Sequence, residues 1–249
     1  RTLPIIHLLN KKGHEVVVGG DGKALNFLRK ELVNQRFIRM KDIQVDYHPN
    51  TWKMFFRLAN LGLRLKKVRR KEHLELHRIN YEEQFDLVIS DNRYGIFSRD
   101  IYSILITHQL APKTPFFNGV ITFLIKSWTS TFNEVWIPDF ERSTLSGKLS
   151  LGGTFNSKHI GILSRFEVKV QHEKTIEYLF LLSGPEPLRT SFEEKILEEI
   201  KGLNSNIVIV RGTNKPHSIP DQNGVEIKNL TQSGELEKLL LSSKKIICR

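Results

Sequence analysis

Short, uninterrupted apolar runs recur along this chain, each bounded by a turn and followed by a segment with helical spacing. Val16-Val17-Val18, Leu87-Val88-Ile89, Ile104-Leu105-Ile106, Val135-Trp136-Ile137, Leu179-Phe180-Leu181-Leu182 and Ile207-Val208-Ile209-Val210 are the clearest. A strand covered on both faces needs no polar alternation, and helices lying between such strands make the sheet parallel. The pattern predicts an α/β chain of two doubly wound, Rossmann-like halves facing each other across a cleft. In such sheets ligands lie outside the carboxyl ends of the strands, so residues just after each apolar run are the ones to inspect.

The helical segments complete the rhythm. Thr2 to Lys12 places Leu3, Ile6 and Leu9 on one face, with Gly13 as the C-terminal cap. Residues 22–34 place Leu25, Leu28 and Leu32 together. Residues 52–80 predict a long basic helix or a helix pair, and residues 117–130 an apolar helix. Phe37-Ile38, Gln44 to Asp46, Val225 to Ile227 and Lys245 to Cys248 read as further short strands. The helix after Ser183-Gly184-Pro185 carries Phe192, Ile196, Ile200 and Leu203 on one stripe, with its acidic residues expected outside. Gly234 to Ser242 is the last helix. Residues 141–174 interrupt the rhythm, with a strand end expected before Gly161. The domain boundary is expected near 164–174, which divides the chain into 1–164 and 165–249.

Composition narrows the functional classes. A hydrophobic fraction of 39% supports an ordinary core. One cysteine, Cys248, excludes an intramolecular disulfide framework and fits a reducing compartment. No run reaches the roughly 20 apolar residues of a spanning helix. The expected location is therefore the cytoplasm, with contact at the inner face of the membrane. Of the net charge of +11, +8 falls in residues 1–140. Lys53, Arg57, Arg64, Lys66, Lys67, Arg69, Arg70 and Lys71 follow one another without an acid, interleaved with Phe55, Phe56, Leu58, Leu61, Leu63 and Leu65. Such a segment suits an anionic membrane surface or nucleic-acid phosphates, or simply a packed helix with a solvated face. The apolar stretch from Pro115 to Trp128 is either core or an acceptor and membrane patch.

The strand ends hold the candidate chemistry. Asp91 and Asn92 follow one apolar run. Thr107-His108-Gln109 follow another. Gly161 to Arg165 ends a strand at the boundary, and its arginine is expected to face the cleft, where a guanidinium suits a diphosphate. Ser183-Gly184 lies between a strand and a helix, where backbone N–H groups and a hydroxyl can approach a phosphate, or where an ordinary turn sits. Arg211 follows the next run. Asp91 reads as a ligand group or a helix cap, and His108 as a catalyst or a structural histidine. There is no G-x-G-x-x-G or Walker loop, no G-x-S-x-G elbow and no metal-ligand spacing. No metal or cofactor is expected.

In this order the pieces resemble the GT-B glycosyltransferases, most of all family 28, which includes the undecaprenyl-linked N-acetylglucosaminyltransferase of peptidoglycan synthesis. Arg1-Thr2-Leu3-Pro4 to Gly13-His14-Glu15-Val16 looks like the family's first helix and second strand. Thr107-His108-Gln109 resembles its His-Glu-Gln-Asn acceptor loop without the acid. Gly161 to Arg165 matches a Gly-x-x-x-Arg linker, Ser183-Gly184 stands at the donor loop, and Ile227-Lys228-Asn229-Leu230 resembles the stretch that meets uracil. Pro185 and Pro187 depart from the family's pattern.

The resemblance implies an inverting, metal-independent transfer of a sugar, such as an N-acetylhexosamine, from a UDP-linked donor to a lipid-linked or glycan acceptor in the cell envelope. Donor contacts are expected at Arg165, Ser183, Gly184, Arg211, Ile227, Asn229 and Leu230, and acceptor contacts at Asn92 and Gln109. It also implies a first strand and Gly-rich loop before Arg1, a donor domain continuing past Arg249, and a catalytic base in that loop, with Asp91 and His108 as fallbacks. The alternatives are a nucleotide-sugar 2-epimerase of the same architecture and a non-catalytic nucleic-acid binder. The second lacks any recognised nucleic-acid motif, so no nucleic acid is expected as a partner.

Overall fold

The computed structural model describes residues 1–41, 54–110, 118–141, 145, 147, 154–166, 172–184, 186–213 and 224–248, with the side chains of the long helix from Leu65 onward. The expected strand at Gln44 to Asp46, the residues Lys53, Arg57 and Arg64 with their apolar neighbours, and Pro115 to Phe117 lie outside the described residues or side chains. The chain divides into two compact units. The first is Arg1–Asn26 with Asn34–Ser164, and the second is Phe27–Val33 with Arg165–Arg249.

The first unit opens with α1 (Leu3–Lys11), β1 (Val17–Gly20), α2 (Gly22–Glu31, whose later half counts with the second unit) and β2 (Arg36–Arg39). Gly13 at φ 83° ends α1, as its position past the last apolar residue predicts. β1 and β2 pair in parallel, Val17 against Arg36. Next come α3 (Met54–Glu83), β3 (Leu87–Asp91), β4 (Tyr102–Ile106), α4 (Asn118–Thr129), β5 (Glu134–Ile137) and β6 (Ser157–His159). β3, β4, β5 and β6 form one parallel sheet in that order. Leu105, Ile106 and Val135 are fully buried, as apolar runs without alternation require.

α3 is one helix of 30 residues rather than a pair. Leu76 and Ile79 on its inner stripe pack with Met40, Val88, Ile96 and Ile101. Lys66, Lys67, Arg70 and Lys71 are exposed, but Arg69 leaves the solvated face. Its guanidinium lies 4.6 Å from the centroid of Phe97 and 5.9 Å from that of Trp128, and it donates to Tyr94 O. The aromatic faces and the carbonyl compensate for its partial removal from water.

The second unit is a parallel sheet with helices on both faces. Its strands are β7 (Ile176–Leu181), β8 (Ile207–Val210), β9 (Val225–Lys228) and β10 (Ser243–Cys248), and its helices α5 (Leu188–Glu199) and α6 (Ser233–Leu241). All four residues of β8 are buried. Phe180, Ile207 and Ile209 point to one face, against Ile196 and Ile200 at and just past the end of α5. Leu179, Val208 and Val210 point to the other, against Leu239 and Leu240 of α6. The strand order is β10-β7-β8-β9. The chain runs outward from β7 to β9 and then returns to β10 on the other side of β7. The order therefore reverses beside β7, and the carboxyl end of β7 is where such a sheet opens a crevice.

Candidate functional site

In the second unit, Ser183 and Gly184 follow β7 at this reversal. Both are exposed, and Gly184 adopts φ 99°, a backbone state that glycine tolerates. The chain then enters α5, where the Thr190 N–H of the first turn already has an acceptor. Glu186 accepts from Thr190 Oγ1 at 2.7 Å, from the Thr190 N–H at 3.2 Å and from Arg189 Nε at 2.9 Å. Led by the Thr190 hydroxyl, these donors hold the Glu186 carboxyl down to about 2. The start of α5 thus meets a carboxylate of its own chain.

Arg211 follows β8 directly, and Asn229 follows β9. Their backbones interlock, with Arg211 N donating to Lys228 O at 2.8 Å and Thr213 N to Asn229 O at 3.1 Å. Gly212 between them has φ 66°, and a Cβ there would lie 2.5 Å from Leu182 O. Both reasons demand glycine, and they press the turn against the end of β7.

Beneath this turn lies a buried charge network. The side chains of Arg189, Glu193 and Arg211 are 5%, 6% and 5% exposed. Glu193 accepts from Arg189 Nη1 at 2.6 Å, from Arg211 Nε, and from Arg211 Nη2 at 3.4 Å. Arg211 Nη1 donates to Asn229 Oδ1 at 2.8 Å. Burial pushes the Glu193 carboxyl up, but hydrogen bonds from Arg211 and Arg189 outweigh it and hold the group below the usual carboxylate range.

This corrects the expectation that the acids of α5 face water, because Glu193 sits inside. The signal was available. Arg189, Glu193, Ile196 and Ile200 recur at 4, 3 and 4 residues, which is the spacing of a single helix face. Of the other donor candidates, Ile227 is half-buried in β9 and Leu230 is exposed. The Arg165 guanidinium lies 5.0 Å from the centroid of Phe27 and 5.1 Å from that of Phe166.

In the first unit, β3 and β4 bring Asp91, Asn92, Thr107 and His108 together. Asn92 turns the chain at φ 57° and donates its N–H to Ile106 O at 3.0 Å, while its Oδ1 accepts from Thr107 Oγ1 at 3.0 Å. Thr107 Oγ1 also accepts the Gln109 N–H at 3.1 Å. Arg1 reaches both strand ends. Its Nη2 lies 2.7 Å from Asp91 Oδ1, and its Nη1 2.8 Å from His108 Nδ1.

The contact with Asp91 is an ion pair without an aligned hydrogen bond, and Oδ1 has no hydrogen-bond partner among the described residues. A guanidinium only donates, so His108 Nδ1 accepts and the ring proton sits on Nε2. Burial and then the Arg1 charge lower the His108 pKa, against the opposing pull of Asp91. The ring is therefore neutral in the upper part of the physiological range.

Asp139, two residues past β5, was not picked out from the sequence. It is fully buried and accepts the Phe140 N–H at 2.8 Å. Its place after Val135-Trp136-Ile137 was the available signal. Among the described residues no three His, Cys, Asp or Glu side chains form a metal cluster, and no helix is long and apolar enough to cross a membrane. A shallow depression lined by Gly119, Thr122, Phe123 and Lys126 lies on α4, and none of these residues belongs to the strand-end sets.

No protein-family model matches the chain. No curated protein matches it either. Solved structures do. CalG4, the calicheamicin glycosyltransferase, aligns with 99% of this chain and 74% of its own, at 10% identity and a TM-score of 0.56. The S. aureus MnaA–UDP co-structure aligns with 93% of this chain and 73% of its own, at 11% identity and a TM-score of 0.50. MurG from Acinetobacter baumannii aligns with 100% of this chain and 67% of its own, at 12% identity and a TM-score of 0.48. With its parallel sheets and strand-end loops, the chain has the α/β fold of the GT-B type enzymes.

Proposed function

We propose that the chain is the greater part of a glycosyltransferase that takes a sugar from a nucleotide-diphosphate donor, UDP-linked, and transfers it with inversion to a lipid-linked or glycan acceptor. The observation that carries this reading is the polar set at the carboxyl ends of β7, β8 and β9, built on a buried charge network and placed where the strand order reverses. The GT-B fold and the solution of one structural neighbour with UDP support it.

In this reading Ser183, the Gly184 turn and Arg165 bind the donor phosphates, and Ile227, Asn229 and Leu230 meet the nucleoside. Asn92 and Gln109 bind the acceptor. The acceptor hydroxyl gives its proton to a base and attacks the anomeric carbon from the side opposite the nucleotide. The carbon–oxygen bond to the diphosphate breaks, and its electrons leave with the nucleoside diphosphate. On this chain Asp91 is the candidate base through its other carboxylate oxygen, since Arg1 holds the buried Oδ1 at 2.7 Å. His108 suits a donor role through Nε2, since Arg1 engages Nδ1. No step requires a metal. The exposed Phe123 beside Lys126, with the basic face of α3, suits an anionic membrane carrying the acceptor.

The test is release of UDP from UDP-N-acetylhexosamine by the full-length protein, with and without a lipid-linked glycan acceptor. Release that depends on the acceptor supports the transferase. Interconversion of the donor with its C2 epimer, without acceptor and without net release of UDP, would instead identify an epimerase.

A further inference from the structure

Asn229 is exposed, yet its side-chain amide is not at liberty to turn. Its Oδ1 accepts from Arg211 Nη1 at 2.8 Å. A guanidinium carries donors only, so the amide must keep its oxygen inward and its NH2 outward. Arg211 is fixed in turn through Nε and Nη2 on Glu193, and Glu193 through Arg189 Nη1 at 2.6 Å. The backbone bonds between the two turns hold the same register. Among the described residues nothing accepts from Asn229 Nδ2. An exposed asparagine can usually exchange its oxygen and nitrogen with little loss. Here three buried side chains, whose desolvation is costly, are committed to one orientation. The outcome is a pair of outward-facing N–H donors at the carboxyl end of β9.

We infer that Asn229 is a specificity-determining contact that donates from Nδ2 to an acceptor oxygen of the bound nucleotide, with Arg211 and Glu193 as positioning residues. The inference rests on the donor reading of the second unit. With phosphates at the β7 turn, the ends of β8 and β9 fall to the nucleoside. The acceptor is then a carbonyl of the base, or an oxygen of the ribose or phosphates. The first case has a chemical signature. Cytosine carries an amino donor where uracil carries the carbonyl O4, so an outward N–H donor favours uracil and opposes cytosine.

The experiment is calorimetric titration of the full-length protein with UDP and with CDP, in the wild type and in Asn229→Asp, Arg211→Met and Arg211→Lys. Asn229→Asp keeps an acceptor for Arg211, leaves the core untouched and turns the outward donor into an oxygen. It is expected to weaken UDP by about tenfold, the scale of one hydrogen bond with its unpaired partner. If CDP tightens in the same variant, the acceptor is the base carbonyl. If UDP and CDP weaken equally, it is a ribose or phosphate oxygen.

Arg211→Met releases the amide, and should weaken UDP and flatten any UDP-over-CDP preference. Arg211→Lys, still a pure donor but without the guanidinium fork that spans Glu193 and Asn229, should fall between Arg211→Met and the wild type in both. Circular dichroism checks that the Arg211 variants fold, and the decision rests on Asn229→Asp. Undiminished UDP binding by that variant overturns the inference and leaves the donor reading standing. Failure of the wild type to bind any nucleoside diphosphate overturns the donor reading and the inference together.

Discussion

Arg189 and Glu193 meet at 2.6 Å one turn apart on α5, with side chains only 5% and 6% exposed. An ion pair at that spacing on a helix ordinarily faces water and contributes a few tenths of a kcal/mol. This one faces the sheet and is shared with Arg211, so breaking it would leave two guanidinium groups buried without their common carboxylate. Glu193→Ala should destabilise the protein by about 3–5 kcal/mol in urea denaturation. Replacing Arg189, Glu193 and Arg211 together with apolar residues of matching volume should restore most of that stability. A single-variant loss below about 1 kcal/mol would show that the network does not bear on the fold.

Gly212→Ala tests the turn that carries Arg211. The added Cβ would strain a backbone at φ 66° and press on Leu182 O, the residue just past β7. Strain of this kind costs about 1–3 kcal/mol before the contact is counted. The midpoint of chemical denaturation should fall accordingly, and UDP affinity with it, because the turn also sets Asn229. An unchanged midpoint would mean that the turn relaxes without effect on β7.

Much of this architecture was legible, for identifiable reasons. β7 and β8 stand out because Leu179-Phe180 and Ile207 to Val210 are buried on both faces and need no alternation. β6 is the opposite case. Ser157-Lys158-His159 contains no apolar residue, and it is a strand because it pairs with Val135 to Ile137 of β5. It could be anticipated only as the strand end before Gly161. α3 was ambiguous between one helix and two because its charges are dense.

At the strand ends, Asp91, Asn92 and His108 could be picked out by position. The link of Asp91 and His108 to Arg1 could not, because contacts this distant in sequence, 107 residues for His108, leave no spacing signature. Glu193 was misplaced by the rule that sends the acids of an amphipathic helix outward. That rule fails when a buried arginine recurs on the same face.

Glu186 gives a pH prediction for the second unit. Its carboxyl is held down to about 2 from an ordinary value near 4.5, first by Thr190 and then by Arg189. A depressed acid contributes stability above its unfolded value and loses it as pH falls through the folded one. Thermal stability should therefore decline between pH of about 4.5 and about 2, and Glu186→Gln should flatten that window relative to the wild type. Because the side chain is 37% exposed, screening by salt should shrink the effect. A Glu186→Gln curve parallel to that of the wild type would contradict it.

The acceptor-side cluster has its own titration. Burial first and Arg1 second lower the His108 pKa, and Asp91 opposes them. Arg1→Gln should shift the His108 resonance titration upward, and Asp91→Asn should shift it further down. Because the folded value lies below the unfolded one, this group's contribution is present at neutral pH and is lost as pH falls below the ordinary histidine range. NMR titration of the imidazole reads both shifts. A downward shift or none in Arg1→Gln would mean that Arg1 does not engage Nδ1 in solution.

The strand ends of the second unit are the proposed site of a nucleotide donor. A thermal-shift and calorimetric screen of the full-length protein against UDP, GDP, ADP and a short oligonucleotide tests that site. Selective stabilisation by UDP is expected, reduced in an Arg165→Ala, Ser183→Ala double variant and changing little with salt. No response to any nucleoside diphosphate, with oligonucleotide binding that weakens steeply as salt rises, would contradict it and leave the basic face of α3 as the functional surface.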